Sequence, residues 1–286
     1  MPGENHLLHA RVDTVITVLS GIDAIKGVLC FGSYAMGMFD EQSDIDLYVL
    51  CHPEIISPEN RRWAFEQIHG VTELQIDHQD PALDNQWCPA GDTFRLHGAL
   101  IDVGWNTVDW MQTVIQKVSE EGSTSLPELR FRAHTMLGLL ANSVILLDPE
   151  TILHRMKSNL YPYPPGLKQT LLQESLPILK ESLTDMRDYV DREIGNTAFH
   201  FHFQRILDAL RTIIFALNEF YDPATKRVEQ VYATMNRHPQ DFLMRYNRIL
   251  KIPMTAKGRR ELVRELETLT DEFKVMIDTE KASPDF

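Results

Sequence analysis

One stretch, residues 27–50, constrains the fold more than any other: GVLCFGSYAMGMFDEQSDIDLYVL. An apolar run ends in Gly32 and Ser33, a short segment containing Gly37 follows, and Ser43, Asp44, Ile45 and Asp46 open a second apolar run, Leu47, Tyr48, Val49 and Leu50. Two carboxylates at i and i+2 of a strand point to one face of it. Both can therefore reach one hard cation, and Mg²⁺ takes one or two protein carboxylates together with substrate phosphates. A Gly-Ser turn ahead of a short helix offers backbone N–H groups and a hydroxyl to those phosphates. A metal ligand pair and a phosphate cradle thus fall within one short region.

This pattern resembles the nucleotidyltransferase superfamily related to DNA polymerase β. Its signature is a strand, Gly-Ser, a helix, then Asp-x-Asp on the next strand. Gly32, Ser33, Asp44 and Asp46 fall on those positions, and Ala35, Gly37 and Ser43 fit as well. The resemblance implies that Asp44 and Asp46 bind Mg²⁺ and that Gly32 and Ser33 hold the β- and γ-phosphates of a nucleoside triphosphate.

At 286 residues the chain is long enough for about two domains of ~150 residues. A net charge of −13 weighs against a large nucleic-acid footprint, which needs a basic face. It suits a neutral or cationic small substrate. The cysteines Cys30, Cys51 and Cys88 form no Cys-x-x-Cys pair, so neither a structural zinc site nor a disulfide framework is expected. Cys30 and Cys51 sit in apolar runs and read as buried small residues. The first residues lack a signal-peptide core and no apolar run reaches ~18 residues, which predicts a cytoplasmic protein without a membrane span.

Along the chain, residues 6–20 have helical apolar spacing and 27–31 read as a strand. Residues 34–38 read as a short helix or turn, and 45–51 as a second strand. Ser57 caps a helix over 58–69 with Pro58 at its first position. A third strand covers 74–78, a loop 79–92, and strand-like sequence 94–105 with a break at Gly98. Thr107 caps a helix over 107–118. Strands interspersed with helices predict an α/β (α+β) domain with a mixed sheet over residues 1–122. From 123 to 286 the pattern is helical. Residues 127–147 are helical for most of their length, Asp148 and Pro149 mark a turn, and 152–160 form a short helix. A rigid linker follows at 161–166. Helices over 167–194, 199–221, 225–235, 239–249 and 257–279 then make an all-α bundle.

Two-metal phosphoryl transfer uses more than two acidic ligands. Asp102, inside the apolar run 99–105, and Asp77, near the end of the third strand, are the candidates. Asp102 is preferred, because a charge flanked by apolar residues is costly without a partner such as a metal. In the enzymes it resembles, this carboxylate also orients the acceptor hydroxyl. Trp87 and Trp105 read either as flanking the acceptor cleft or as core.

Residues 209–231 resemble the segment by which a helical domain of antibiotic nucleotidyltransferases reaches the nucleotide. That resemblance places Lys226 on the triphosphate, with Arg227 beside it and Tyr246 as a further phosphate or base contact. His200 and His202, two apart on a helix, do not share a face and make a poor metal chelate. The chain as a whole therefore reads as a Mg²⁺-dependent nucleotidyltransferase moving AMP from ATP to a small-molecule hydroxyl with release of pyrophosphate. By the resemblance, the acceptor class is an aminoglycoside or lincosamide antibiotic, hence antibiotic resistance. The alternatives are a protein or RNA acceptor, as in antitoxin-type enzymes, and a non-catalytic nucleotide-binding regulator.

Overall fold

The computed structural model describes residues 2–40, 43–77, 87–124 and 133–282. The chain forms two compact units, Met1–Pro162 with Pro223–Thr225, and Tyr163–Asp222 with Lys226–Phe286.

The first unit runs α1 (Pro2–Leu19), β1 (Ile25–Phe31), α2 (Gly32–Ala35), β2 (Ile45–Cys51), α3 (Pro58–Glu66), β3 (Val71–Gln75), β4 (Ala90–Leu96), β5 (Ala99–Thr107), α4 (Val108–Ser119), α5 (Ala133–Ala141), β6 (Val144–Leu147) and α6 (Ile152–Ser158). Its strands make one six-stranded mixed sheet in the order β3-β4-β5-β2-β1-β6. Only β2 and β5 run parallel. Every other neighbouring pair is antiparallel.

Local chemistry explains the boundaries. Ser57 accepts the Asn60 N–H at 3.3 Å and Thr107 accepts the Trp110 N–H at 3.2 Å, so both expected caps start their helices. Gly98 is the hinge of the β4–β5 hairpin. His97 and Gly98 sit at φ 49° and 86°, the left-handed pair that a two-residue hairpin turn requires. The loop expected to reach Asp92 gives way to β4 at Ala90, because Asp92 is drawn into the core by the partners described below. Residues 79–86 of that loop lie outside the described residues, as do His78 and residues 127–132.

The helix expected to extend to 147 ends at Ala141, and Val144–Leu147 is a strand. β6 pairs with β1 through Val28↔Leu147, Leu29↔Ile145 and Cys30↔Val144. A short Val-Ile-Leu-Leu run between polar turns pairs readily with the open side of β1, whose backbone groups would otherwise go unpaired. This pairing carries the first unit to residue 162, forty residues beyond the expected boundary at 122.

One face of the sheet is covered by α1 and α3. Val12, Val15, Leu19, Phe65 and Ile68 pack with Val28, Cys30, Ile45, Leu47, Val49, Ile101, Val103 and Trp105 in a continuous apolar core. Strand alternation turns Phe31, Asp46, Tyr48, Asp102, Gly104 and Asn106 to the opposite face.

The second unit contains α7 (Pro165–Asp191), α8 (Asn196–Leu217), α9 (Val228–Tyr232), α10 (Phe242–Ile249) and α11 (Ala256–Lys281). Arg205–Glu181 and His202–Asp185 show that α8 runs antiparallel to α7. Arg187–Glu267 and Lys168–Glu280 set α11 antiparallel to α7 in the same way. The helical half of the sequence is thus the expected helical region.

Candidate functional site

The site begins where β1 ends. Gly32 follows Phe31 with φ 72°, a conformation that costs L side chains energy. A Cβ built there would overlap Asp46 Oδ2, so glycine is required both for the turn and for the room it leaves to a carboxylate. The turn is closed by Met38 N–H to the Ser33 carbonyl at 2.9 Å and Gly37 N–H to the Tyr34 carbonyl at 3.1 Å. Ser33 is half-buried. The Tyr34 hydroxyl bonds the ring Nδ1 of His9 and so ties α1 to α2.

Register brings the carboxylates to this turn. Asp46 pairs with Phe31 on the antiparallel side of β2 and with Asp102 on the parallel side. Paired residues of neighbouring strands lie on one face, about 5 Å apart. Asp46 and Asp102 are therefore adjacent, half-buried, and beside Gly32. Asp44 lies one residue before β2 and is also half-buried. The backbone leading to it is clasped by Ser43, whose hydroxyl donates to Asp40 Oδ1 at 3.0 Å and accepts the Asp40 N–H at 2.9 Å. Cys30 packs from the core side; burial, and then the charge of Asp46, push its thiol far up, which leaves it an inert apolar group.

Asp77 is placed elsewhere. It sits at φ 51°, accepts Arg61 Nη2 at 2.5 Å, and donates its N–H to Asp92 Oδ1 at 3.0 Å. Arg61 and Asp92 are fully buried on the core face, joined at 2.7 Å, and Trp105 Nε1 donates to Asp92 Oδ2 at 2.8 Å. Burial pushes the Asp92 carboxyl above its usual range, against the pull of the Asp77 N–H, Arg61 and Trp105. Asp77 thus belongs to a network that ties α3 to β4 and β5 on the core face of the sheet. Trp105 belongs there too: it is three residues from Asp102 and so faces the core.

Trp87 is on the carboxylate side. Its ring lies parallel to Tyr48, 4.3 Å between centroids and 7° between planes. Its carbonyl accepts Asn106 Nδ2 at 3.0 Å and the Tyr48 hydroxyl. Phe31 meets both rings edge-on. Phe31, Tyr48 and Asn106 carry no local motif that marks them for a site. Period-two counting from Asp46 and Asp102 reaches the last two.

Lys226 and Tyr246 belong to the second unit. Lys226 is exposed, two residues before α9. Tyr246 is 7 % exposed and packs against Tyr232 and Phe242, with its hydroxyl pKa raised by burial. Such a side chain fills the helical core rather than a ligand surface. His202 is buried, 3.4 Å from Asp185, while His200 is exposed, so the two do not form a chelating pair.

Residues 13–86 match the family described as Polymerase beta, Nucleotidyltransferase. That span holds Gly32, Ser33, Asp44, Asp46 and Asp77, and ends before Asp102. A nucleotidyltransferase-like protein from Exiguobacterium sibiricum 255-15 is similar in its crystal structure over 94 % of this chain and 76 % of that one, with 12 % identity and a TM-score of 0.43. No curated protein matches the chain. The fold is a nucleotidyltransferase fold with a mixed sheet, followed by a helical region. No helix among the described residues is long and apolar enough to cross a membrane.

A divalent cation fits part of this arrangement. The in-register Asp46 and Asp102, and the side-chain-free position at Gly32, are what a carboxylate-held Mg²⁺ beside phosphates needs. Among the described residues, no group of three or more His, Cys, Asp or Glu side chains is gathered to hold a metal ion. The set of Asp44, Asp46 and Asp102 is thus not drawn together as one cluster.

Proposed function

We propose that the chain is a nucleotidyltransferase that moves a nucleoside monophosphate, AMP from ATP, onto a hydroxyl of a small-molecule acceptor. The observation that carries the reading is the register of Asp46 with Asp102 against the Gly32 turn. The family match over residues 13–86 supports nucleotidyl transfer in general.

In this reading the Ser33 hydroxyl and the turn's N–H groups receive the β- and γ-phosphates. Asp102 accepts a hydrogen bond from the acceptor hydroxyl and orients its oxygen toward the α-phosphorus. The new bond joins that oxygen to phosphorus. The bond between the α-phosphorus and its bridging oxygen breaks, and the electron pair leaves with pyrophosphate. The hydroxyl proton passes to Asp102 and on to solvent. Asp46 and Asp102 would hold Mg²⁺, which when bound would neutralise charge on the phosphates and lower the pKa of the attacking hydroxyl. An aminoglycoside or lincosamide is the acceptor class that the net charge of −13 and the two-unit layout suit.

The test is pyrophosphate release with each of the four NTPs against a panel of such acceptors, with Asp46→Asn as the blank. The reading expects Mg²⁺-dependent release with ATP that disappears in the variant. Equal release by Asp46→Asn would remove the carboxylate from the chemistry.

A further inference from the structure

Beyond the carboxylates, the same sheet face carries an aromatic wall, and its placement speaks to the acceptor. Tyr48 is two residues past Asp46 and Gly104 two past Asp102, and Tyr48 and Gly104 are themselves paired. Two residues along a strand span about 7 Å. That is room enough for a six-membered ring between the carboxylate and the aromatic pair. A ring whose hydroxyl meets Asp102 can lay its body against Trp87, the residue stacked on Tyr48.

The wall is built rather than incidental. A Cβ at Gly104 would meet Tyr48 Cδ2 at 2.9 Å and Cys88 Sγ at 3.0 Å, so glycine is what lets the tyrosine ring settle across β5. Trp87 is held onto that ring at both its backbone and its side chain. The Tyr48 hydroxyl and Asn106 Nδ2 share its carbonyl, and the two rings stack at 4.3 Å. Phe31, paired with Asp46, closes the row at the carboxylate end. Tyr48 is fully buried, whereas Phe31 and Trp87 are half-buried and keep part of their surface for contact.

The electrostatics select among ring types. Aromatic faces are electron-rich and attract cations and C–H edges. Here the half-buried faces of Trp87 and Phe31 are the ones open to such a contact. We infer that the Trp87–Tyr48 stack is the acceptor wall of the site, taking one face of a saturated ring that bears ammonium groups beside its accepting hydroxyl, and that Trp87 sets acceptor affinity. The inference rests on the transfer reading above and names its acceptor surface.

The test uses the full chain, ¹⁵N-labelled, and 2-deoxystreptamine, a diamino cyclitol, as the probe. The four tryptophans give four indole N–H signals, and Trp87→Phe assigns the one of interest by its loss. The expected result is a saturable shift of the Trp87 indole signal by the probe. Affinity should fall about tenfold in Trp87→Ala, the scale of a desolvated cation–π contact. It should be largely retained in Trp87→Phe, with ATP affinity by calorimetry unchanged in both variants. A Trp87 signal that ignores the probe, or equal probe affinity in Trp87→Ala, overturns the inference. So does a Trp87 signal that answers ATP instead, since the wall would then face the donor base. Failure of the transfer reading shows itself separately, as no ATP binding and no pyrophosphate release while the indole shift persists.

Discussion

Replacing Gly32 with alanine separates two costs that the structure places on one residue. The first is conformational. Gly32 is at φ 72°, and a non-glycine residue in the left-handed region costs about 1–2 kcal/mol. For a unit of this size each kcal/mol lowers Tm by about 2–4 °C, so the variant should melt about 2–8 °C below wild type. The second cost is positional. The added Cβ overlaps Asp46 Oδ2, and the carboxylate has to move or rotate away. A misplacement of about 1 Å in a reacting constellation costs about 10²-fold in rate. Gly98→Ala is the matched control. Gly98 sits at φ 86°, and a Cβ there meets nothing within 4 Å. Both variants should lose similar stability by thermal denaturation, and only Gly32→Ala should lose about 10²-fold in kcat/KM for pyrophosphate release. If Gly32→Ala keeps wild-type turnover while melting like Gly98→Ala, the claim that Asp46 works from its place against the turn is refuted.

The two candidate third carboxylates are expected to respond in opposite ways. Asp102→Asn should lower kcat about 10²–10⁴-fold with Tm little changed, the range for removing a group that handles the reacting proton. Asp77→Asn should lower Tm through the Arg61–Asp92 network and leave kcat near wild type; thermal melts and steady-state rates on the same preparations decide it. A pH effect belongs to Asp148. Burial alone would raise its carboxyl, but hydrogen bonds from the His154 N–H, the His154 ring and the Leu153 N–H outweigh it, and the pKa falls below the usual 3.8. A folded-state pKa below the unfolded one gives stability that is complete above about pH 3.8 and is lost as pH falls through the lower folded value. Denaturant melts of Asp148→Ala should therefore show a shallower loss of stability on the acid side than wild type.

Local signals in the sequence carry the turns, caps and strand that the site is built from. The Gly-Ser turn, the Asp-x-Asp strand, the Ser57 and Thr107 caps and the break at Gly98 are each set by nearby residues, and each appears in the structure where its chemistry puts it. The apolar flanks of Asp102 favour it over Asp77. The structure adds the reason that matters, since Asp102 is in register with Asp46 while Asp77 is bound to Arg61. Register between strands far apart in sequence is a tertiary fact that local composition does not carry. The same limit explains β6: whether Val144–Leu147 becomes helix or strand depends on the unpaired side of β1, more than a hundred residues earlier. Asp92 has the local signature of a loop because its partners, Arg61 and Trp105, lie on other elements. Trp105 could have been assigned from parity alone, as an odd-numbered step from Asp102 turns it into the core. Tyr246 is a second case like Asp92, since its burial among Tyr232 and Phe242 follows from helix packing that its own neighbours in sequence do not show.

The central claim is that the acceptor oxygen attacks the α-phosphorus of the donor beside Asp46 and Asp102. Its most direct test follows two labels, ATP carrying ³²P at the α- or the γ-position, incubated with Mg²⁺ and an acceptor identified by pyrophosphate release. The account predicts that the α-label moves onto the acceptor and the γ-label leaves in pyrophosphate, with both transfers lost in Asp46→Asn and Asp102→Asn. Acceptor carrying the γ-label, or α-label transfer that survives in both variants, would contradict it.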